Sequence, residues 1–232
     1  WSVLVSPYYQ DQATQKPREI DLIAEKAFPV LDGWANQKGT LNVQLFIECK
    51  FIKQTTVFWF HEQDRQATEQ ILINTTPLRP RNTFTQQHHY LSDPNRLVAK
   101  LFAGQPNAQT EGEQFYKALN QSLNAMIANT GHGSILPQNS PDSARILATV
   151  RYPIILCDSF DRTFRIDIES SEADPAIIDS NFNLEVNYAY SDSTGRPSNA
   201  FFLIDVVNYQ DLSSYLDSVN TDVEAMQMML ND

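Results

Sequence analysis

Apolar and polar positions alternate along much of the chain, and the alternations predict strands. Trp1 to Tyr9 alternates weakly and is rich in aromatic and β-branched residues, whereas Gln10 to Lys16 is polar and Pro17 stops any helix. A strand followed by a loop is expected. Arg18 to Ala24 predicts a second strand, with Ile20 and Leu22 on one face and Glu19, Asp21 and Ile23 on the other, and the two strands suit a hairpin. After a Pro/Gly/Asn-bearing connection from Pro29 to Gly39, Leu41 to Ile52 predicts a third strand. Leu45, Ile47, Cys49 and Phe51 share one of its faces, and Phe46, Glu48, Lys50 and Ile52 the other. Both faces are largely apolar, so this strand should be central.

Helical spacing follows. Asp93-Pro94 suits an N-cap and first helical position, Leu97, Val98, Leu101 and Phe102 repeat at helical intervals, and Gly104 suits a stop. A second helix carries a stronger signature: Thr110 and Glu113 match a capping box, Phe115, Leu119, Leu123, Met126 and Ile127 form an apolar stripe, and Gly131 follows. Strands return at Ile146 to Cys157, Thr163 to Ile168, Phe182 to Tyr190 and Phe201 to Val207. Asp211 then precedes an amphipathic helix with Leu212, Tyr215, Leu216, Val219, Val223 and Met226 on its apolar side. This order predicts a mixed α/β (α+β) fold in one domain over 1–232, with core strands in 1–52, a helical section in 93–130, and further strands and a C-terminal helix in 146–230.

Composition narrows the picture. With 232 residues, 42% of them hydrophobic, the chain can bury a substantial core. Cys49 and Cys157 both lie in apolar runs and read as reduced, buried small side chains of a cytoplasmic protein rather than as a disulfide. No apolar stretch approaches the roughly 20 residues of a membrane span, and no membrane partner is expected. The chain opens at Trp1, directly in a strand-like run, so it reads as a segment of a longer polypeptide whose other domains are candidate partners. A formal net charge of -11 counts against broad, sequence-independent adhesion to nucleic acid. Local positive charge is offered by Arg79, Arg81, Arg96 and Lys100, whose plainer reading is as solvating charges.

The candidate chemistry lies at Asp21, Glu48 and Lys50. An acidic residue and a lysine two apart mean little alone, but here period-two geometry sends both to one face of an otherwise apolar strand. Burying a carboxylate and an ammonium there is costly unless they meet a partner or a metal. Asp21 offers a second carboxylate on the preceding strand. Two carboxylates suit Mg²⁺ or Mn²⁺, and a neighbouring lysine suits the orientation of an attacking water and the stabilisation of charge on a reacting phosphate.

Arg18-Glu19-Ile20-Asp21-Leu22-Ile23-Ala24, followed after a loop by Leu45-Phe46-Ile47-Glu48-Cys49-Lys50-Phe51, resembles the Asp…Glu-x-Lys signature of the PD-(D/E)XK, or restriction-endonuclease-like, nucleases. The resemblance covers about the first quarter of the chain. It implies a restriction-endonuclease-like core of order αβββαβ, with a central mixed sheet flanked by helices. The implied activity is metal-dependent hydrolysis of phosphodiester bonds in nucleic acid, DNA by family association, with RNA as a further substrate that no residue discriminates. Asp21 and Glu48 would be metal ligands, the backbone carbonyl of Cys49 a third, and Lys50 the catalytic lysine. Two features depart from the family pattern: Ile20-Asp21 replaces Pro-Asp, and the helix that usually precedes the first strand, often with a further glutamate, would lie upstream of Trp1. The acidic balance and that missing helix motivate an alternative, a non-catalytic interaction module on the same fold.

Other polar residues attract plainer readings. Glu19 shares Asp21's face, but pairing with Arg18 or solvent is favoured. His88 and His89, as neighbours, should point apart, and His61 and His132 stand alone, so no metal spacing links the four histidines. Asp205, inside the apolar Phe201 to Val207, is expected to cap a turn or accept a backbone hydrogen bond. Ser134 and Ser159 lack a nucleophile-elbow setting, and Gly131-His132-Gly133 lacks that of a phosphate loop.

Overall fold

In a computed structural model, which describes residues 1–12, 14–104, 111–135, 145–169, 174–191 and 196–231, the elements are as follows. The first strands are β1 (Ser2–Val5), β2 (Tyr8–Gln10), β3 (Pro17–Glu19), β4 (Leu22–Leu31), β5 (Gln37–Lys50) and β6 (Thr56–Glu62). Helices α1 (Arg65–Thr75) and α2 (Thr83–Gln87), strand β7 (Leu97–Gly104) and helix α3 (Glu111–Ala128) come next. Strands β8 (Ile146–Cys157), β9 (Thr163–Asp167), β10 (Ala176–Ile177), β11 (Phe182–Ser191) and β12 (Pro197–Asn208) precede a 3-10 turn at Tyr209–Asp211 and helix α4 (Leu212–Asn231).

Ten of these strands form one mixed sheet in the order β1-β4-β5-β8-β12-β11-β7-β6-β9-β10, while β2 and β3 pair separately as a small antiparallel ribbon. β4 runs antiparallel to β1 and β5, and β8 lies parallel to both β5 and β12. β5 is therefore paired along both edges, and its residues from Leu41 to Glu48 are all buried, as its two apolar faces predict. Helix α3 covers one face of the sheet, packing Phe115, Leu119, Leu123 and Met126 onto Phe46, Ile155 and Leu184. The other face lies under α4, α1 and α2, where Val219, Val223, Met226, Leu72 and Phe84 meet Leu45, Ile154 and Val207. Ser122 of α3 pins its face, accepting from the Ile154 N–H at 3.1 Å and donating to the Phe46 carbonyl at 2.9 Å.

The mixed α/β architecture is as expected, and α3, β8, β11, β12 and α4 fall where the patterning places them. The expected cap of α3 at Thr110 lies outside the described residues, whereas Gly131 beyond its end takes φ 98°, the left-handed conformation of a helix stop. The run from Trp1 to Tyr9 and that from Arg18 to Ala24, each expected as one strand, are broken, the first into β1 and β2 and the second into β3 and β4, and one expected helix is absent. The helix read from Asp93 to Gly104 is the strand β7, antiparallel to β6 from Glu62↔Leu97 to Thr56↔Gly104. Its run is apolar except at Lys100, and such a short run fits either period. Asp93 caps a turn instead, accepting from the Asn95 N–H at 2.9 Å. The 93–130 section thus holds a strand and one helix, and α1 and α2 stand earlier, begun by Asp64 and Asn82 as N-caps.

Candidate functional site

Asp21, Glu48 and Lys50 come together at one end of the sheet, on the α3 side. The register of β4 on β5 pairs Leu22 with Ile47, so Asp21, one step before β4, stands opposite Glu48. Asp21 is not inside a strand as read from the sequence. It occupies the bend between β3 and β4, which frees its side chain to turn back and accept from the Cys49 N–H at 2.8 Å. The N–H and C=O of one strand residue face the same neighbour, so the Cys49 carbonyl lies toward Asp21 as well.

Glu48 is 1% exposed and Lys50 20%, with Lys50 Nζ 3.1 Å from Glu48 Oε2. The other oxygen, Glu48 Oε1, is buried without a hydrogen-bond partner. Burial pushes the Glu48 carboxyl up; Lys50 pulls it down, and Asp21 pushes it up again through its charge and through a proton the two carboxyls can share, leaving it at about 7. One ammonium does not balance two carboxylates in this setting. An unpaired buried oxygen beside a second carboxylate is a donor set that fits a hard divalent cation. Lys50 also lines a small cleft with Phe51, Ile52, Thr56 and, from α3, Phe115.

The remaining candidates lie elsewhere. Glu19 ends β3, where its carbonyl accepts from Gln121 Nε2 at 2.9 Å, and Arg18 pairs with Asp11 at 3.4 Å rather than with Glu19. Arg96 donates to Asn183 Oδ1 at 2.7 Å, and Lys100 stands 3.6 Å from Glu185, so neither is positioned to serve the Glu48 site. Both thiols are free, but only Cys157 is buried. Cys49 is exposed, contrary to expectation, because it follows Ile47, the last residue of its row to reach the core under α4.

The largest departure from the sequence reading is at His88 and His89. They do not point apart: their rings stack at 4.7 Å and 25°, and both sit in a buried network with Asp222, Asp205, Tyr90, Tyr152 and Tyr215. The network lies on the face opposite Glu48. Asp222 accepts from the His89 N–H at 2.8 Å, pairs with His89 Nδ1, and lies 3.3 Å from His88 Nε2. His89 Nε2 is 3.4 Å from Asp205, which also accepts from Tyr90 at 2.9 Å, Tyr215 at 2.8 Å and Asn183 at 2.7 Å. Asp205 thus binds side chains and not a turn.

Burial pushes His89 down, but Asp222 and Asp205 push it up further, to about 10, so it is an imidazolium between two carboxylates. Burial holds His88 down at about 4, against the charge of Asp222, so it is neutral. Its Nδ1 accepts from the Tyr90 N–H at 3.2 Å, which leaves the proton on Nε2, toward Asp222. Ligand atoms of His88, His89 and Asp222 lie within 4.8 Å of one another, near enough for one cation to touch all three. Protons account for the contacts seen there, since His88 Nε2 and His89 Nδ1 both face Asp222 Oδ2 directly, at hydrogen-bonding range. A signal for this network does exist in the sequence: Asp222 interrupts the apolar stripe of α4 between Val219 and Val223.

Two further buried carboxylates, Glu25 and Glu185, lie apart from both clusters, and Glu185 Oε2 has no hydrogen-bond partner. Glu25 receives Gln44 Nε2 at 2.9 Å, the Ile135 N–H at 2.8 Å and the Ser134 hydroxyl. Burial pushes Glu25 up, but those hydrogen bonds outweigh it and hold the carboxyl below its ordinary value. Glu185 faces His61 at 3.4 Å and Lys100 at 3.6 Å.

No helix among the described residues is long and apolar enough to cross a membrane. Compared with family models, with curated proteins and with solved structures, the chain finds no match in any of the three.

Proposed function

We propose that the chain is a metal-dependent phosphodiesterase of nucleic acid, DNA in the first instance, with its active site at Asp21, Glu48 and Lys50. The observation that carries this reading is the buried Glu48 carboxyl at the end of a central strand, whose Oε1 meets no donor while the Lys50 ammonium holds Oε2 and the Asp21 carboxylate stands against it. The sheet around it supports the PD-(D/E)XK resemblance: β1, β4 and β5 form an antiparallel meander, α3 follows in the chain after an insertion, and β8 joins parallel to β5.

Asp21 and Glu48 would hold Mg²⁺ or Mn²⁺, with the Cys49 carbonyl as a third oxygen. When bound, such an ion supplies polarisation of the phosphate and a more acidic water. Asp21 is preoriented for this by the Cys49 N–H, which fixes one of its oxygens. Lys50, anchored by Glu48 at 3.1 Å and still solvent-accessible, orients the attacking water and places a fixed positive charge beside the reacting phosphate. That charge acts on the transition state more than on ground-state binding, so Lys50→Ala should lower kcat more than it raises KM.

The test is cleavage of supercoiled plasmid and of labelled oligonucleotides with Mg²⁺ or Mn²⁺, comparing wild type with Asp21→Ala and Lys50→Ala. We expect cleavage by the wild type and a loss of at least about a hundredfold in either variant. Equal cleavage by all three would overturn the assignment. Absence of cleavage, with no Glu48-dependent heat on calorimetric titration with Mn²⁺, would favour the non-catalytic module.

A further inference from the structure

A cavity of about 590 Å³ opens beside the Glu48 site, between the β2–β3 ribbon and α3. Its volume falls in the range that accommodates a small organic ligand, roughly 300–1,000 Å³. The ribbon contributes Tyr9 and Arg18, which sit opposite each other in its register. From α3 come Tyr116, Asn120 and Asn124, four residues apart and so on one stripe, with Lys117 alongside. The stripe is the counterpart of α3's apolar face: it presents one aromatic ring, 59% exposed, followed by two amides.

Chain connectivity links this cavity to the reacting groups. β3 ends at Glu19, and only Ile20 separates it from Asp21. Gln121, also on the cavity wall, binds the Glu19 carbonyl at 2.9 Å, so α3 and the strand leading to Asp21 are tied together at the cavity edge. Tyr9, on the same wall, stands close enough to Glu48 to feel its charge. Among the described lining residues two cations face one carboxylate, Asp11, against the acidic balance of 17 basic to 28 acidic residues in the whole chain.

We infer that this cavity holds one nucleotide of a single-stranded nucleic acid next to the phosphate presented to Glu48 and Lys50. The base stacks on Tyr116 and meets the amides of Asn120 and Asn124, while Lys117 and Arg18 face the backbone. Arg18 is partly neutralised by Asp11 at 3.4 Å, so Lys117 carries the larger share of the phosphate contact. A duplex base is stacked on its neighbours and is not available to such a ring, which is why a single strand or a splayed end is the occupant. The inference rests on the phosphodiesterase reading of the neighbouring site, but its test is one of binding.

The experiment uses the full chain carrying Lys50→Ala, without divalent metal and at low salt, and follows fluorescence anisotropy of labelled single-stranded oligo(dT), oligo(U) and a duplex of equal length. Single strands should bind more tightly than the duplex, and the two single strands report whether deoxyribose or ribose is preferred. Adding Tyr116→Ala should weaken single-strand binding roughly tenfold, with Tyr116→Phe restoring it. Adding Lys117→Ala should lower the slope of log affinity against log salt by about one contact. Trp34→Ala, at an 88% exposed ring on the β4–β5 connection, should change nothing. Unchanged binding in Tyr116→Ala, an equal loss in Trp34→Ala, or tighter binding of the duplex would overturn the inference. If Tyr116→Ala in the active chain binds and cleaves as wild type does, the cavity reading fails and the phosphodiesterase stands; if Lys50→Ala cleaves as wild type does while Tyr116→Ala loses binding, the reverse holds.

Discussion

The buried histidine pair makes a prediction whose sign and size both follow from the structure. His89 bridges Asp222 and Asp205 as an imidazolium with its pKa raised from 6.5 to about 10. The folded protein therefore keeps a proton that the unfolded chain releases, and the stability gained is complete below about 6.5 and disappears as pH rises through 10. Each pH unit in that window is worth about 1.4 kcal/mol, so the whole contribution is on the order of 5 kcal/mol. An independent scale agrees: removing one partner of a buried ion pair costs about 3–5 kcal/mol. His88 acts in the opposite sense. Its pKa is lowered to about 4, so its contribution is complete above about 6.5 and is lost as pH falls through 4.

Urea denaturation of wild type, His89→Gln and His88→Gln between pH 5 and 9.5 separates these effects. His89→Gln should lower the midpoint by about 1–2 M at pH 6, and the gap to wild type should narrow steadily toward pH 9.5. His88→Gln should instead differ from wild type least at the acid end. Glu48, raised to about 7, also lowers stability as pH rises from its ordinary 4.5, but it is present in all three proteins and cancels in each difference. A gap between wild type and His89→Gln that stays constant with pH would refute the charged bridge and leave only lost packing.

Two further substitutions test the packing around the central strand. At Gly39, a Cβ would lie 2.4 Å from the Arg145 carbonyl oxygen and 2.6 Å from Leu147 Cγ, so Gly39→Ala should cost about 1–3 kcal/mol and lower Tm by several degrees, whereas Gly33→Ala, with nothing within 4 Å, should leave Tm nearly unchanged. Ser122→Ala removes the hydroxyl that joins α3 to both β5 and β8 and should cost about 1–3 kcal/mol in urea denaturation.

Much of the sheet and two of its helices were legible because their signals are local. β5 declares itself by apolar residues on both faces, and the same period-two geometry places Glu48 and Lys50 together, as found. The stripe of α3 and the alternation of β11 are equally direct. β7 was misread because an apolar run of this length satisfies both periods, and its partner β6 lies about 40 residues earlier along the chain, where no local pattern connects the two. Asp21 was assigned to a strand, whereas a bend lets it reach back to the Cys49 N–H. The histidine network was hidden for a different reason. Its members come from the loop after α2, from β8, β12 and α4, and His89 meets Asp222 across 133 positions. Spacing rules for adjacent histidines describe strands and helices, and these two sit where α2 ends, in neither.

The two polar clusters on opposite faces of the sheet are alike in burial and unlike in completeness, and that difference separates scaffold from chemistry. In the histidine network the carboxylates are met by an imidazolium, three phenols, an amide and a backbone N–H, and among the described residues none of their oxygens is left without a partner. Such closure holds α4 and the loop after α2 to the sheet, and leaves nothing for a substrate to complete. Glu185 also keeps one unbonded oxygen, but Lys100 stands 3.6 Å away and balances its single charge, while His61, held below its ordinary pKa by burial and by Lys100, faces it at 3.4 Å as a neutral ring. At Glu48 the unbonded oxygen instead has a second carboxylate for a neighbour, and the lysine there pairs, among the described residues, with Glu48 alone. A fold tolerates that arrangement only at a cost in stability. The cost is offset if a cation binds there, so stabilisation by Mn²⁺ that disappears in Glu48→Ala is the thermodynamic counterpart of the proposed catalysis.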